Sequence, residues 1–268
     1  MTNSLIVKRN ELLNVSYSLS LNEQRILLGC ISQVDSRLSL DKEKTFEVSV
    51  QSIKDLFGSQ NASHFYTEIK NAVDRLSERW IVIREDKRVV KLRWVYKIEY
   101  LQNEATIRLN FSPDVIPYLS EITERFTKYR LNDVKDFKCI YSLRLYELFA
   151  QYQAIGSREI EVDELRILFE LENKYPSFGE LKRSVIDKAL YEINLHSNMN
   201  VTCGFRKRGR KVLAFQFYFE TKMKKIDNSY ERKSVSIQEY VRLNPVITKG
   251  KTELEVIRLM QKNKIDKK

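Results

Sequence analysis

The sequence predicts an α+β fold of two tandem winged-helix (winged helix-turn-helix) domains related by internal duplication. Three observations carry this reading. The first half runs helix, strand, helix, helix, β-ribbon. The second half repeats that order. A single offset of 112 positions superposes the two.

Ser20 and Glu23 have the spacing of a capping box. They open an apolar-periodic run of Leu21, Ile26, Leu27, Cys30, Ile31 and Val34, which predicts a helix over 21–35. Phe46, Val48 and Val50 alternate with polar residues, as a strand does. A short helix over 51–57 ends at Gly58. Ser63 is placed to cap a longer helix over 64–79, whose stripe is Phe65, Ile69, Ala72, Val73, Leu76 and Trp80. Residues 81–83, 92–100 and 106–111 read as three strands of a β-ribbon. Ser112-Pro113 predicts a further helix, with Pro at the first helical position. The polar stretch 123–138 reads as an inter-domain linker.

In the second half, 140–152 reads as a helix, 158–162 as a strand, and 163–169 as a short helix with Asp163 as cap. Ser177 and Glu180 repeat the capping-box spacing and open a helix to Leu195. Strands at 199–205 and 212–220 flank a basic turn. At the offset of 112, Val50, Ile53, Leu56 and Phe57 fall on Val162, Leu165, Leu168 and Phe169. Tyr66, Glu68, Ile69, Lys70 and Val73 fall on Phe178, Glu180, Leu181, Lys182 and Val185, and Glu47 falls on Glu159. Charged and apolar positions match together over three elements, which amphipathic character alone does not explain. The expected division is 1–125, 126–225 and a basic tail over 226–268.

Length and composition fit this plan. The chain has 268 residues, 43% hydrophobic and 31% charged, with only 7 Gly and 4 Pro. That excludes collagen-like and low-complexity classes and argues against a glycine-rich nucleotide-binding protein. No apolar run approaches the ~18 residues of a membrane span, and residues 1–10 lack a secretory apolar stretch. Cys30, Cys139 and Cys203 are odd in number and far apart, which suits a reducing cytoplasm.

The net charge of +11 is concentrated. From Lys222 onward, 13 basic and 6 acidic residues leave +7, so residues 1–221 carry +4. Arg206, Lys207, Arg208, Arg210 and Lys211 supply +5 of that second figure, so the rest is net −1. Concentrated charge favours a polyanionic partner, because each neutralised phosphate releases condensed counterions. A solvated basic turn and tail is the plainer alternative.

In a helix-turn-helix the second helix enters the major groove. Here those helices are 64–79 and 178–195. On the latter, Leu181, Val185, Ala189, Leu190 and Ile193 point inward. Arg183, Ser184, Asp187 and Tyr191 point outward, flanked by Lys182 and Lys188, with Ser177 at the start. Arg183 is the candidate for bidentate contact with guanine O6 and N7. The basic turn around Gly209 suits phosphates or a narrow minor groove. The first helix offers Lys70, Asn71 and Arg75 beside Asp74, a more balanced face that predicts weaker, mainly backbone contacts. For Lys70 the alternative is a solvated helix-face charge, and for Tyr191 it is packing against the wing.

The run Val7-Lys8-Arg9-Asn10-Glu11-Leu12, with Tyr17 to Leu27 after it, resembles the opening of theta-type iteron-plasmid replication initiator (Rep) proteins of the RepE/RepA/pi kind. So do Leu181-Lys182-Arg183 through Asn194, Gly209-Arg210-Lys211-Val212 and Phe215-Gln216-Phe217. The resemblance covers residues 5–221. It implies a protein that binds double-stranded direct repeats (iterons) at an origin as a monomer and helps to open it. It also implies recruitment of host replication proteins, the host initiator and replicative helicase among them. In that family the C-terminal winged helix reads bases. The N-terminal one contacts backbone and dimerises, and dimers repress the protein's own gene. By the same resemblance, Lys182, Arg183 and Lys188 serve the recognition helix, and Arg206 to Lys211 the wing. The tail lies outside the match, and its helix-like end over 252–261 is a host-factor contact or a solvated extension.

Enzymatic chemistry is not expected, and neither is a cofactor or metal. Gly204 and Gly209 imitate a phosphate-binding loop, but no Lys-Ser/Thr follows and a strand comes next. His64 and His196 are 132 positions apart, so no paired-histidine nickase site is legible, and no Cys-x-x-Cys suggests zinc. No histidine-arginine set accompanies a tyrosine nucleophile. A repressor without origin activity and a nickase or relaxase remain the alternatives to an initiator.

Overall fold

Both predicted capping boxes form. A computed structural model of the chain describes residues 4–57, 62–85, 87–101 and 104–222. The basic tail, its expected helix over 252–261 and Gly58 lie outside the described residues. Ser20 Oγ accepts the Glu23 N–H at 3.4 Å, and the Ser20 N–H donates to Glu23 Oε2 at 2.8 Å. Ser177 Oγ accepts the Glu180 N–H at 3.1 Å, and the Ser177 N–H donates to Glu180 Oε2 at 3.2 Å. Ser177→Ala therefore removes the acceptor for one of the N–H groups that a helix start leaves without an intrahelical partner. The expected loss is about 0.5–2 kcal/mol, read as a lower urea midpoint at unchanged slope.

The first module comprises β1 (Leu5–Arg9), α1 (Asn10–Leu13), α2 (Leu21–Ile31), β2 (Phe46–Ser49), α3 (Val50–Phe57) and α4 (Ala62–Ser77). It continues with β3 (Trp80–Glu85), β4 (Arg88–Arg93), β5 (Val95–Leu101), β6 (Thr106–Phe111) and β7 (Phe126–Arg130). The second comprises α5 (Ile140–Ala150), β8 (Ser157–Glu161), α6 (Val162–Leu168), α7 (Phe178–Leu181), a π-helical segment (Lys182–Asp187) and α8 (Lys188–His196). β9 (Met199–Arg208) and β10 (Lys211–Thr221) complete it.

The duplication is visible in the topology. The sheets run β2-β6-β5 and β8-β10-β9, so in each module the leading strand pairs with the last strand of the closing hairpin. The junction of leading strand and short helix falls at Val50 in one module and Val162 in the other, 112 positions apart.

Several expectations are corrected. The three-stranded ribbon is four strands in two sheets, because β3 and β4 form a hairpin of their own. The run expected over 92–100 breaks at Trp94, which is buried edge-on against Tyr17 with ring centroids 5.1 Å apart. Asp163 is not a cap. Glu161 holds that position without a side-chain bond, and Asp163 sits in the first turn, where a negative charge favours the helix end. Ser63 lies inside α4, which begins at Ala62. The helix expected at Ser112-Pro113 shrinks to a 3-10 turn, Ile116–Tyr118.

The expected linker over 123–138 is also corrected, because it contains β7. That strand pairs antiparallel with β1, from Leu5 opposite Arg130 to Arg9 opposite Phe126. Leu131, Val134 and Phe137 beyond it are buried. Main-chain pairing therefore crosses the boundary expected at 125/126.

The modules share one core. Lys8 Nζ lies 2.7 Å from Glu147 Oε1, with side chains 5% and 1% exposed. Tyr129 donates to the same carboxylate oxygen at 2.5 Å. Burial first, and the Glu147 carboxylate second, push the Tyr129 phenol well above its usual range. Arg144 donates to the carbonyls of Val15, Leu13 and Leu168, with its guanidinium 3.6 Å from the Tyr17 ring centroid. Polar groups from β1, β7 and α5 thus fix the two modules against each other.

Candidate nucleic-acid interface

The second module's recognition helix is set from beneath by aromatic packing. Phe178, at its first turn, lies 5.5 Å from Phe205 and 5.2 Å from Phe215 between ring centroids, so the wing strands form its seat. Leu181, Val185, Ala189, Leu190 and Ile193 are buried, as their spacing predicts. Ile186 is buried too, next to Val185. Glu192, which the sequence reading missed, anchors the far end of the helix. Its carboxylate accepts the Lys138 N–H at 3.1 Å, the Cys139 N–H at 2.8 Å and the Ser142 hydroxyl at 2.6 Å. It thereby satisfies the start of α5, whose negative partner is favoured at that end.

On the outer side Arg183, Asp187 and Lys188 are exposed. Tyr191 is 69% exposed, so it does not pack under the wing. Arg183 and Lys188 have no ion-pair partner among the described residues. Ser184 is half-buried. The Ser177 hydroxyl is occupied by the cap. Lys182 is half-buried and its ammonium donates to both Asp187 oxygens, at 2.7 and 2.8 Å.

The wing is tighter than expected. The basic segment is the end of a hairpin, and its turn is Gly209-Arg210 alone, between Arg208 and its register partner Lys211. Gly209 has φ +60° and Arg210 lies outside the positive region, the pattern of a type II′ turn with Gly first. Lys207, Arg208, Arg210 and Lys211 are exposed without an ion-pair partner among the described residues. Arg206 differs. Its Nε meets Glu159 Oε1 and its Nη2 meets Glu161 Oε1, each at 2.8 Å. Gln216 also donates to Glu159, at 2.9 Å. The Arg206 guanidinium first, and Gln216 second, hold the Glu159 carboxyl below its usual range.

The first module's helix is engaged at home. Lys70 lies over the Tyr100 ring at 5.5 Å, and Tyr100 donates to Asp74 at 2.6 Å. Arg75 donates to Glu23 at 3.3 Å, and Arg79 doubly to the same fully buried carboxylate at 3.0 and 3.1 Å. Of the three residues expected to meet DNA there, Asn71 alone is exposed with no hydrogen-bond or ion-pair partner among the described residues. Among the described residues no group of three or more His, Cys, Asp or Glu side chains is placed to hold a metal ion. No helix among them is long and apolar enough to cross a membrane.

A capped recognition helix seated on a hairpin wing, in a chain that repeats the module, defines a tandem winged-helix DNA-binding protein. The chain belongs to the replication initiator family: residues 5–150 match the model described as Initiator Replication protein, WH1, and residues 161–219 the model described as Initiator Rep protein, WH2. A replication initiation protein of Escherichia coli is 26% identical over 232 residues, which cover 83% of this chain and 72% of that protein. The PI protein of Escherichia coli is 25% identical over 248 residues, covering 79% and 81%. Among solved structures, the Pi initiator protein in complex with iteron DNA shares the fold with a TM-score of 0.71 at 24% identity, over 82% of this chain and 98% of that one.

Proposed function

We propose that this chain initiates plasmid DNA replication by binding direct repeats (iterons) at an origin as a monomer, through both winged helices, without cutting a bond. The observation that carries the reading is the cluster of free cations on the second helix and its wing. Arg183 and Lys188 on the second helix, with Lys207, Arg208, Arg210 and Lys211 on the wing, have no protein counter-ion among the described residues. The two cations expected to meet DNA on the first helix, Lys70 and Arg75, are engaged within the protein instead. Arg183 reads guanine, and the wing neutralises phosphate. The first module contacts backbone and leaves surface for a second copy, so that a dimer represses the chain's own gene. Host initiator and replicative helicase are recruited to the opened repeats in the cytoplasm. The solved relative's iteron complex and the initiator relatives support this assignment.

A plasmid carrying only this gene and its flanking repeats should replicate, and purified protein with supercoiled origin DNA and Mg²⁺ should leave it supercoiled. Failure to replicate, with repression intact, would reveal a repressor alone. Nicked or relaxed product would reveal a nickase.

A further inference from the structure

Resting on that reading of the interface, we propose that Asp187, Glu159 and Glu161 are specificity-determining residues: they hold Lys182 and Arg206 in internal ion pairs that a chance phosphate must displace. Unpaired cations raise affinity for every sequence alike, whereas specificity is a difference between affinities. A cation that already has a carboxylate contributes to a non-specific contact only after giving that partner up.

The geometry is built for this. Lys182 and Asp187 are five residues apart. In an α-helix that spacing puts them about 140° apart around the axis. The π-helical segment begins at Lys182 and ends at Asp187. Its i to i+5 closure brings those two residues into line, and the ammonium reaches both carboxylate oxygens. On the wing, Glu159 and Glu161 lie two apart on β8 and share one face. Arg206 on β9 reaches them across β10, and Ala214 is the register partner of both Arg206 and Glu161. A side chain as small as Ala214 leaves the guanidinium room to cross. Gln216 fixes Glu159 from the middle strand. The first module has a simpler pair between adjacent strands. Glu47, the counterpart of Glu159 at the offset of 112, holds Arg108 at 2.6 Å.

The test uses the full chain on a scrambled duplex and on the repeat, with affinity measured between about 50 and 200 mM salt. Asp187→Asn, and separately Glu159→Gln with Glu161→Gln, should each free one cation. On the scrambled duplex the slope of log affinity against log salt should steepen by ~0.9 per freed cation, an extra ~3-fold loss over that range. The ratio of repeat to scrambled affinity should fall. Asp163→Asn removes an exposed carboxylate with no ion-pair partner among the described residues, and should leave the slope unchanged. Adding Lys182→Ala to Asp187→Asn should abolish the gain. An equal gain with Lys182 absent would make the effect one of bulk charge and overturn the proposal. So would a loss confined to the repeat, which would make Asp187 a base reader. Absence of any wild-type preference for the repeat would sink the initiator reading, whereas the scrambled-duplex slopes decide the ion pairs on their own.

Discussion

Lys8→Met is expected to destabilise the chain by about 3–5 kcal/mol, the cost of leaving one member of a buried ion pair without its partner. Both side chains are almost wholly buried, and the pair ties β1 to α5 with Tyr129 of β7 as third member. The variant keeps an aliphatic side chain at the position, so the loss comes from Glu147 stranded in the core rather than from a cavity. Urea unfolding should show a lower midpoint. The double change of Lys8→Met with Glu147→Leu should recover much of the loss, because replacing a whole buried pair by apolar side chains is often neutral. A single variant as stable as wild type would mean that the pair does not hold the modules together.

The second large effect is on recognition. Arg183→Ala should weaken binding to the repeat by about 1–3 kcal/mol, roughly 5- to 150-fold, and relax preference at one guanine. Replacing Lys207, Arg208 and Arg210 together by alanine should instead weaken repeat and scrambled duplex alike. It should also lower the salt slope by ~0.9 for each phosphate that is no longer neutralised. Fluorescence anisotropy on both duplexes over a salt series separates the two. Equal loss of preference in both variants would contradict the division between a reading helix and a neutralising wing.

Much of the architecture was legible because it rests on local signals. The capping boxes at Ser20 and Ser177, the stripe of α4 from Phe65 to Leu76 and the common offset each follow from local patterns, although Trp80, expected on that stripe, opens β3 and is exposed. What escaped depends on distant partners. β1 and β7 pair across more than a hundred residues, and β1 presents Lys8 on its buried side, which spoils the alternation expected of a half-buried strand. β7 buries Thr127 and Tyr129 between exposed Phe126, Lys128 and Arg130, so its pattern reads as polar linker. The π-helical turn has no apolar signature, since adjacent buried Val185 and Ile186 look no different in sequence from Ala72 and Val73 of α4.

For the interface, residue types and faces were readable, but occupancy was not. Arg206 and Arg183 look equivalent as letters. Only the folded sheet shows that Arg206 already holds two carboxylates. Likewise Arg75 reads as an outward cation until α2 places Glu23 beneath it.

The central claim is that both modules lie along one duplex and the second selects the bases. Hydroxyl-radical cleavage of the backbone on a single repeat, read beside dimethyl sulfate protection of guanine N7, tests it most directly, since the first reports backbone contact by either module and the second reports major-groove reading. The account predicts two protected segments on one face of the duplex, separated by whole turns of about 10–10.5 base pairs. Arg183→Ala should erase guanine N7 protection in one segment and leave the backbone protection of the other. Protection of a single segment in the wild type, or loss of both segments on changing Arg183, would contradict it.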